Sequence, residues 1–223
     1  MSAYDLCVIT ARSDRLGRSH LDVAKAALEG GCRLLQFRDK SLSSRDLWAI
    51  GMQMRRLTRD YQARLIVNDR VDIALAVEAD GVHLGAEDLP IAAARRLLGE
   101  RAIIGASIAN PERAALAKSE GASYLGVGPV YATSSKADAG DAVGLSRIRE
   151  IRDAAALPVL AIGGINRSNV EAVIRAGADG IAVISAVSEA DDMVAATAEL
   201  LDAIRAARRS VGRAFLRPPL VDG

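Results

Sequence analysis

The sequence predicts a single-domain α/β protein, a TIM (β/α)8 barrel, and three observations carry that prediction. Eight short runs rich in Val, Ile and Leu alternate with segments of helical period along the whole chain. The runs are continuously apolar, as the strands of a parallel sheet covered by helices are. The 223 residues, with no break in composition, hold eight minimal strand–helix units and little else, somewhat below the ~250 residues usual for such a barrel. A doubly wound open sheet is the competing architecture. It uses fewer units and carries a glycine-rich turn after its first strand, and Thr10-Ala11-Arg12-Ser13 is not such a turn.

Taken in order, residues 6–10 form the first strand, and a helix over 22–28 follows with Val23, Ala26, Ala27 and Gly30 on one stripe. Gly30-Gly31 ends it, because glycine tolerates the left-handed conformation of a helix terminus. Residues 34–38 are the second strand, and the next helix opens at Ser43 or Ser44, with Ser44 as the expected N-cap, and runs to about Tyr61. Strand 65–68 precedes a helix from about Val71, and strand 81–84 precedes one that begins near Pro90, a favourable first helical residue. Strand 103–106 leads to a helix capped by Asn110 with Pro111 behind it; strand 124–127 leads through a long loop to a helix from about Ser146. Strand 158–162 precedes a helix near Asn166 or Ser168, and strand 180–184 precedes the last helix, 190–209. The barrel thus occupies residues 1–210, and 211–223, with Pro218-Pro219, is expected to be a loosely ordered tail.

Composition excludes several classes of partner. Lys+Arg number 29 against 28 Asp+Glu, and aromatic residues make up only 3%, which argues against a dedicated nucleic-acid binder. Cys7 and Cys32 lie in apolar runs and read as buried free thiols, not as a disulfide framework. With only His20 and His83 and no CxxC, a zinc site is not expected. Apolar stretches fall far short of the roughly 18 residues of a membrane span, and no leader is evident, so a cytoplasmic enzyme for small molecules is expected.

Barrels of this kind carry their sites at the C-terminal ends of the strands. The second strand ends in Gln36-Phe37-Arg38-Asp39-Lys40, and alternation puts Gln36, Arg38 and Lys40 on one face. An amide and two cations at a barrel mouth suit a phosphate or pyrophosphate; a solvated strand end with a salt bridge is the plainer alternative. Asn68-Asp69-Arg70 and Gly85-Ala86-Glu87-Asp88 end the next two strands, and two carboxylates beside cations suit Mg²⁺ shared with a phosphate. Asp69 and Asp88 could equally cap the helices that follow them. The longest connection, from Gly128 through Thr133-Ser134-Ser135-Lys136, is rich in hydroxyls, and Gly163-Gly164 and Ile184-Ser185 follow the last two strands, where backbone N–H groups often hold a phosphate. His83 reads as a hydrogen-bonded core residue, His20 as exposed, and Trp48 as packing. The basic end of the chain, from Arg205 to Arg217, reads as compensation of a helix dipole and a solvated tail.

Seven motifs in order, from Gln36-Phe37-Arg38-Asp39-Lys40 through Asn68-Asp69-Arg70, Asp80-Gly81-Val82-His83-Leu84-Gly85 with Glu87-Asp88, Gly126-Val127-Gly128-Pro129, Thr133-Ser134-Ser135-Lys136 and Ile162-Gly163-Gly164-Ile165 to Val183-Ile184-Ser185, resemble the thiamine-phosphate synthase family. The resemblance runs from about Leu34 to Ser185. It implies a TIM barrel transferase that joins a hydroxymethylpyrimidine diphosphate to a thiazole phosphate, giving thiamine monophosphate and pyrophosphate. It implies that Gln36, Arg38, Lys40, Asn68, Ser107 and Lys136 hold the pyrimidine diphosphate. Asp69 and Asp88 would bind Mg²⁺, and Thr133, Ser135, Gly164, Ile184 and Ser185 would surround the thiazole phosphate. Phe37, Asp39 and Ser134, inside the same motifs, are counted with the substrate-binding residues, and Arg38, Lys40 and Lys136 with the catalytic ones. The chemistry implied is a dissociative substitution assisted by electrostatics, with no catalytic base.

Three positions depart from the family pattern. Ala86 stands where Gln is usual, Ala109 where a His commonly follows Ser107 by two places, and Ser135 where a second Thr is usual. Two other functions compete. A thiazole tautomerase of the same family would carry His where this chain has Pro129, and a non-catalytic thiamine- or phosphate-binding barrel would account for the altered positions. A sugar-phosphate epimerase is a further alternative, without evident acid/base residues.

Overall fold

The structure, a computed structural model, describes residues 4–135, 140–155 and 157–210. Eight strands, β1 (Leu6–Thr10), β2 (Leu34–Phe37), β3 (Arg64–Asn68), β4 (Gly81–Leu84), β5 (Ile103–Ser107), β6 (Tyr124–Val127), β7 (Val159–Ile162) and β8 (Gly180–Val183), close a parallel barrel in chain order. β1 pairs with β8 at Leu6↔Ile181 and Val8↔Val183, so no sheet edge remains. Around it lie α1 (His20–Glu29), α2 (Ser44–Asp60), α3 (Val71–Ala76), α4 (Ile91–Leu98), α5 (Pro111–Glu120), α6 (Gly144–Ala154), α7 (Val170–Arg175), a short α8 (Ser185–Ser188) and α9 (Met193–Ser210). The tail expected over 211–223 lies outside the described residues.

Strand side chains alternate between two apolar layers. Val8, Leu35, Phe37, Leu65, Val67, Val82, Leu84 and Ile104 point outward into the layer shared with the helices. Cys7, Ile9, Leu34, Ile66, Tyr124, Leu160 and Ala182 fill the barrel itself. Each fully buried Val, Leu or Ile is worth about 1.5–3 kcal/mol, which is what holds eight short strands in one closed sheet.

The inner layer has room for two large polar rings because Gly105 and Gly126 carry no side chain. A Cβ on Gly105 would lie 2.2 Å from Tyr124 Cζ and 2.5 Å from His83 Nδ1, and one on Gly126 would lie 3.0 Å from His83 Cε1. Gly105→Ala is therefore expected to cost about 1–3 kcal/mol by overpacking. That corresponds to roughly 2–4 °C in melting temperature per kcal/mol at this size. A melting temperature unchanged in calorimetry would show that the two rings can give way.

Several boundaries differ from the sequence expectation, each for a local reason. α2 is capped by Ser43, whose hydroxyl accepts from Asp46 N–H at 3.2 Å, one residue before the expected Ser44. Pro90 is the N-cap of α4 and not its first helical residue. α7 opens only after Asn169, because Asn166 Oδ1 accepts from Ser168 N–H at 2.8 Å and holds residues 166–168 in a turn. The last helical stretch begins at Met193, and α8 precedes it as a separate turn. Asn110 does cap α5, its side chain accepting from Arg113 N–H at 2.9 Å, with Pro111 at the first helical position.

Two side chains lie elsewhere than expected. His20 is 2% exposed, buried between the ends of β1 and β2, where Thr10 and Asp39 bond both ring nitrogens. Trp48 is 47% exposed on α2, so it does not serve as packing. At the other end of the barrel, Asp80 pairs with Arg55 at 2.7 Å and Arg64 at 3.1 Å and accepts from Leu65 N–H at 2.8 Å, a cluster that belongs to stability. Arg208, part of the basic end, pairs with Asp5 at 2.6 Å.

Candidate active site

The strand ends on the C-terminal side surround a cavity of about 590 Å³. β2 contributes Arg38 and Lys40, which follow its last residue on the inward face. β3 contributes Asn68 and Asp69, and the loop after β4 contributes Gly85, Ala86, Glu87 and Asp88. Ser107 stands at the end of β5. The opposite wall is Gly128, Pro129, Thr133 and Ser135 after β6, Gly163-Gly164-Ile165-Asn166 after β7, and Ile184, Ser185 and Ala186 after β8.

Asp69 has φ +61°, the left-handed region that few residues other than glycine occupy. Its N–H donates to His83 C=O at 2.8 Å, and this conformation turns the chain so that the carboxylate faces the cavity. Burial, with the hydrogen-bonded Asp88 carboxyl next to it, pushes the Asp69 carboxyl up to about 6. Lys40 Nζ lies 3.9 Å from Asp69 Oδ2, and Asp88 Oδ2 accepts from Gly85 N–H at 2.6 Å. Neither carboxylate caps a helix: the N-caps of α3 and α4 are Arg70 and Pro90, without side-chain bonds. The capping alternative for Asp69 and Asp88 is thereby removed.

Such a pair fits a hard divalent cation. Two carboxylates pressed together share a proton when no cation is near, and Mg²⁺ takes one or two carboxylates plus waters and phosphate oxygens. Among the described residues no group of three or more His, Cys, Asp and Glu forms a closed metal cage.

A polar chain crosses the floor of the cavity. His83 Nε2 lies 3.0 Å from Ser107 Oγ, and His83 Nδ1 lies 3.0 Å from Tyr124 Oη. Tyr124 is fully buried and in turn bonded to Gln36, and burial raises its hydroxyl well above the ordinary range. Beneath the cavity, Gln36, His83 and Tyr124 line a void of only about 10 Å³. His83 is hydrogen-bonded, as expected, but it also forms part of the cavity wall. Its position on the inward face of β4, two residues after Gly81, was the sequence signal for that.

The opposite wall is built by close approach of three loops. Gly163 and Gly164 have φ +100° and +62°, and a Cβ on either would lie 2.4 Å from Pro129 Cβ or 2.7 Å from Ala132 O. Only glycine lets the β7 loop lie against the β6 loop, where Val130 N–H donates to Ile162 C=O at 2.8 Å. Ser135 Oγ donates to Ser185 Oγ at 2.9 Å, joining the β6 and β8 loops.

Of the residues singled out in the sequence, Arg38, Lys40, Asn68, Asp69, Asp88, Ser107, Thr133, Ser135, Gly164, Ile184 and Ser185 line this one cavity. Gln36 lies under its floor. Phe37 is buried in the outer layer, Ser134 is exposed outside the lining, and Asp39 turns toward β1. Lys136 lies outside the described residues. The departures fall at unequal places: Ala86 and Ser135 line the cavity, whereas Ala109 is exposed outside it.

A parallel barrel with cations and paired carboxylates on one wall of its mouth, facing hydroxyls and glycines on the other, defines an enzyme that handles phosphorylated small molecules. The family model described as thiamine monophosphate synthase matches residues 6–187, and the chain belongs to that family. It is 53% identical to the thiamine-phosphate synthase of Methanospirillum hungatei over 88% of this chain and 96% of that protein. It is 49% identical to that of Moorella thermoacetica over 93% and 99%. The solved thiamine phosphate pyrophosphorylase from Pyrococcus furiosus superimposes with a TM-score of 0.84 at 44% identity, covering 92% of this chain and 98% of that one. The chain is accordingly a transferase of the thiamine-phosphate synthase type that acts on small molecules. Among the described residues no helix is long and apolar enough to cross a membrane.

Proposed function

We propose that this enzyme joins 4-amino-2-methyl-5-(diphosphooxymethyl)pyrimidine to 4-methyl-5-(2-phosphooxyethyl)thiazole in the cytoplasm, releasing pyrophosphate and thiamine monophosphate. The division of one cavity into two chemically distinct walls supports this reading. Arg38 and Lys40 line one wall and would hold the diphosphate; Thr133, Ser135, Gly164, Ile184 and Ser185 line the other and would surround the monophosphate. Gln36, Asn68 and Ser107 are assigned to the pyrimidine diphosphate, and Lys136 to its leaving phosphates.

Asp69 and Asp88 would hold Mg²⁺, which supplies charge neutralisation of the diphosphate. The chain's own contribution is electrostatic. As the C–O bond to the diphosphate breaks, negative charge grows on the leaving oxygens and positive charge on the pyrimidine methylene. Arg38, Lys40 and Lys136 would stabilise the former. Holding the thiazole ring beside the methylene lets its nitrogen add without a further encounter. No proton has to leave a carbon, so no base is required.

Incubation of the purified enzyme with both substrates and Mg²⁺ should release pyrophosphate and form thiamine monophosphate in equal amounts, and omission of either substrate should abolish both. Tight binding of both substrates without turnover would identify a binding barrel. Isomerisation of a thiazole carboxylate phosphate without pyrophosphate release would identify a tautomerase.

A further inference from the structure

We propose that His20 and Asp39 are positioning residues that clamp the loop after β2, so that Arg38 and Lys40 present their charges to the cavity as a preformed pair. The proposal rests on the diphosphate reading of that wall and adds to it two residues that touch no substrate. Asp39 sits between Arg38 and Lys40 in the chain, but its side chain turns away from the cavity that those two line. Its Oδ1 accepts from Ser41 N–H at 2.7 Å, Ser41 Oγ at 2.7 Å and Leu42 N–H at 3.2 Å. Its Oδ2 receives Arg12 Nε at 3.1 Å and His20 Nε2 at 3.0 Å.

One carboxylate thereby ties together the loop after β1, the first residue of α1 and the first turn of its own loop. His20 is itself immobilised. Its Nδ1 lies 3.0 Å from Thr10 Oγ1, and its ring meets Phe37 edge-on with centroids 5.1 Å apart. Asp39 cannot turn without breaking contacts to three elements, and its backbone sets the relative direction of the residues on either side. Lys40 is 57% exposed, and its ammonium lies 3.9 Å from Asp69 Oδ2 across the cavity mouth, an approach that depends on the backbone direction set at Asp39. Holding the backbone beneath two long cationic side chains removes part of the ordering cost that a diphosphate would otherwise meet on binding. The clamp lies at the barrel rim, outside the two apolar layers that hold the fold.

The test is binding of inorganic pyrophosphate with Mg²⁺, by calorimetry, alongside steady-state kinetics for both substrates. His20→Ala and Asp39→Ala should each weaken pyrophosphate and raise KM for the pyrimidine diphosphate about tenfold, the scale of supporting contacts behind a site. KM for the thiazole phosphate should stay unchanged, because its wall comes from β6 to β8. His20→Gln, which keeps a side-chain N–H for Asp39, should recover most of the pyrophosphate affinity. Alanine variants that lose melting temperature while binding pyrophosphate like the wild type overturn the proposal, as does an equal rise in both KM values. A wild-type enzyme that neither binds pyrophosphate nor forms product overturns the functional reading and the proposal with it.

Discussion

Asp69→Asn and Asp88→Asn are each expected to lower turnover by at least about 100-fold, close to 2.7 kcal/mol in the barrier. Asp69 is both strained and crowded. A residue other than glycine is held at φ +61° so that its carboxyl lies against that of Asp88, and its pKa stands at about 6. An isolated Asp titrates near 3.9. The sign follows from the raised value. Without metal, the stabilising contribution of Asp69 is fully present below the unfolded pKa near 4 and is lost as pH rises through about 6. Mg²⁺ at the carboxylate pair should reverse this by raising the melting temperature at pH 7. Below pH 6 protons compete, and the half-saturating Mg²⁺ concentration should climb roughly tenfold per pH unit. In Asp69→Asn both the thermal shift and its pH dependence should vanish. A variant with wild-type turnover and an intact Mg²⁺ response would sink the assignment of the pair.

Arg38→Ala should lower kcat at least about tenfold, or 1.4 kcal/mol, and Lys136→Ala should do the same. The loss belongs in kcat and not only in KM if these cations act, as proposed, on charge that grows as the diphosphate departs. Arg38→Lys should recover only part of the rate, since an ammonium cannot match the planar fork of a guanidinium on phosphate oxygens. Rapid-quench measurement of the first turnover separates this from slow product release. Unchanged kinetics in both alanine variants would remove the pyrophosphate wall from where it has been placed.

Much of the site could be read from the chain because each barrel strand ends in a short run whose alternation is known. Arg38 and Lys40 were placed on the inward face of β2 on that ground, and both line the cavity. The same rule explains Phe37, which occupies the outward face and is buried under the helices. Helix starts were harder, because neighbouring hydroxyls compete for the same orphan amide. Ser43 and Ser44 differ by one residue, and it is Ser43 whose hydroxyl takes the Asp46 N–H. The turn held by Asn166 was invisible for a related reason, since its side chain competes with the helix for backbone partners.

Histidines were the residues that sequence placed least well. From sequence His83 reads as a hydrogen-bonded core residue, yet Gly105 and Gly126 on the neighbouring strands leave it a space that opens into the cavity. From sequence His20 reads as exposed because it stands near the start of the first helix. Its burial comes from contacts with Thr10 and Asp39, 10 and 19 residues away. Trp48 went the other way: an aromatic inside an amphipathic helix reads as packing, and only the position of the neighbouring helices leaves it 47% exposed.

The sequence by itself determined the barrel, the order of its strands and the loops on which the polar residues stand. Those properties follow from the period of the apolar residues, from turn chemistry and from chain length, all of which are local. Only the tertiary structure decided what each polar residue does with its side chain. Asp69 and Asp88 were as fit for capping as for a metal until two strand ends brought them together. Arg38 and Asp39 are adjacent and both charged, yet one lines the cavity and the other holds the loop. That difference arises because His20 and Arg12, distant along the chain, meet Asp39 only when the barrel closes.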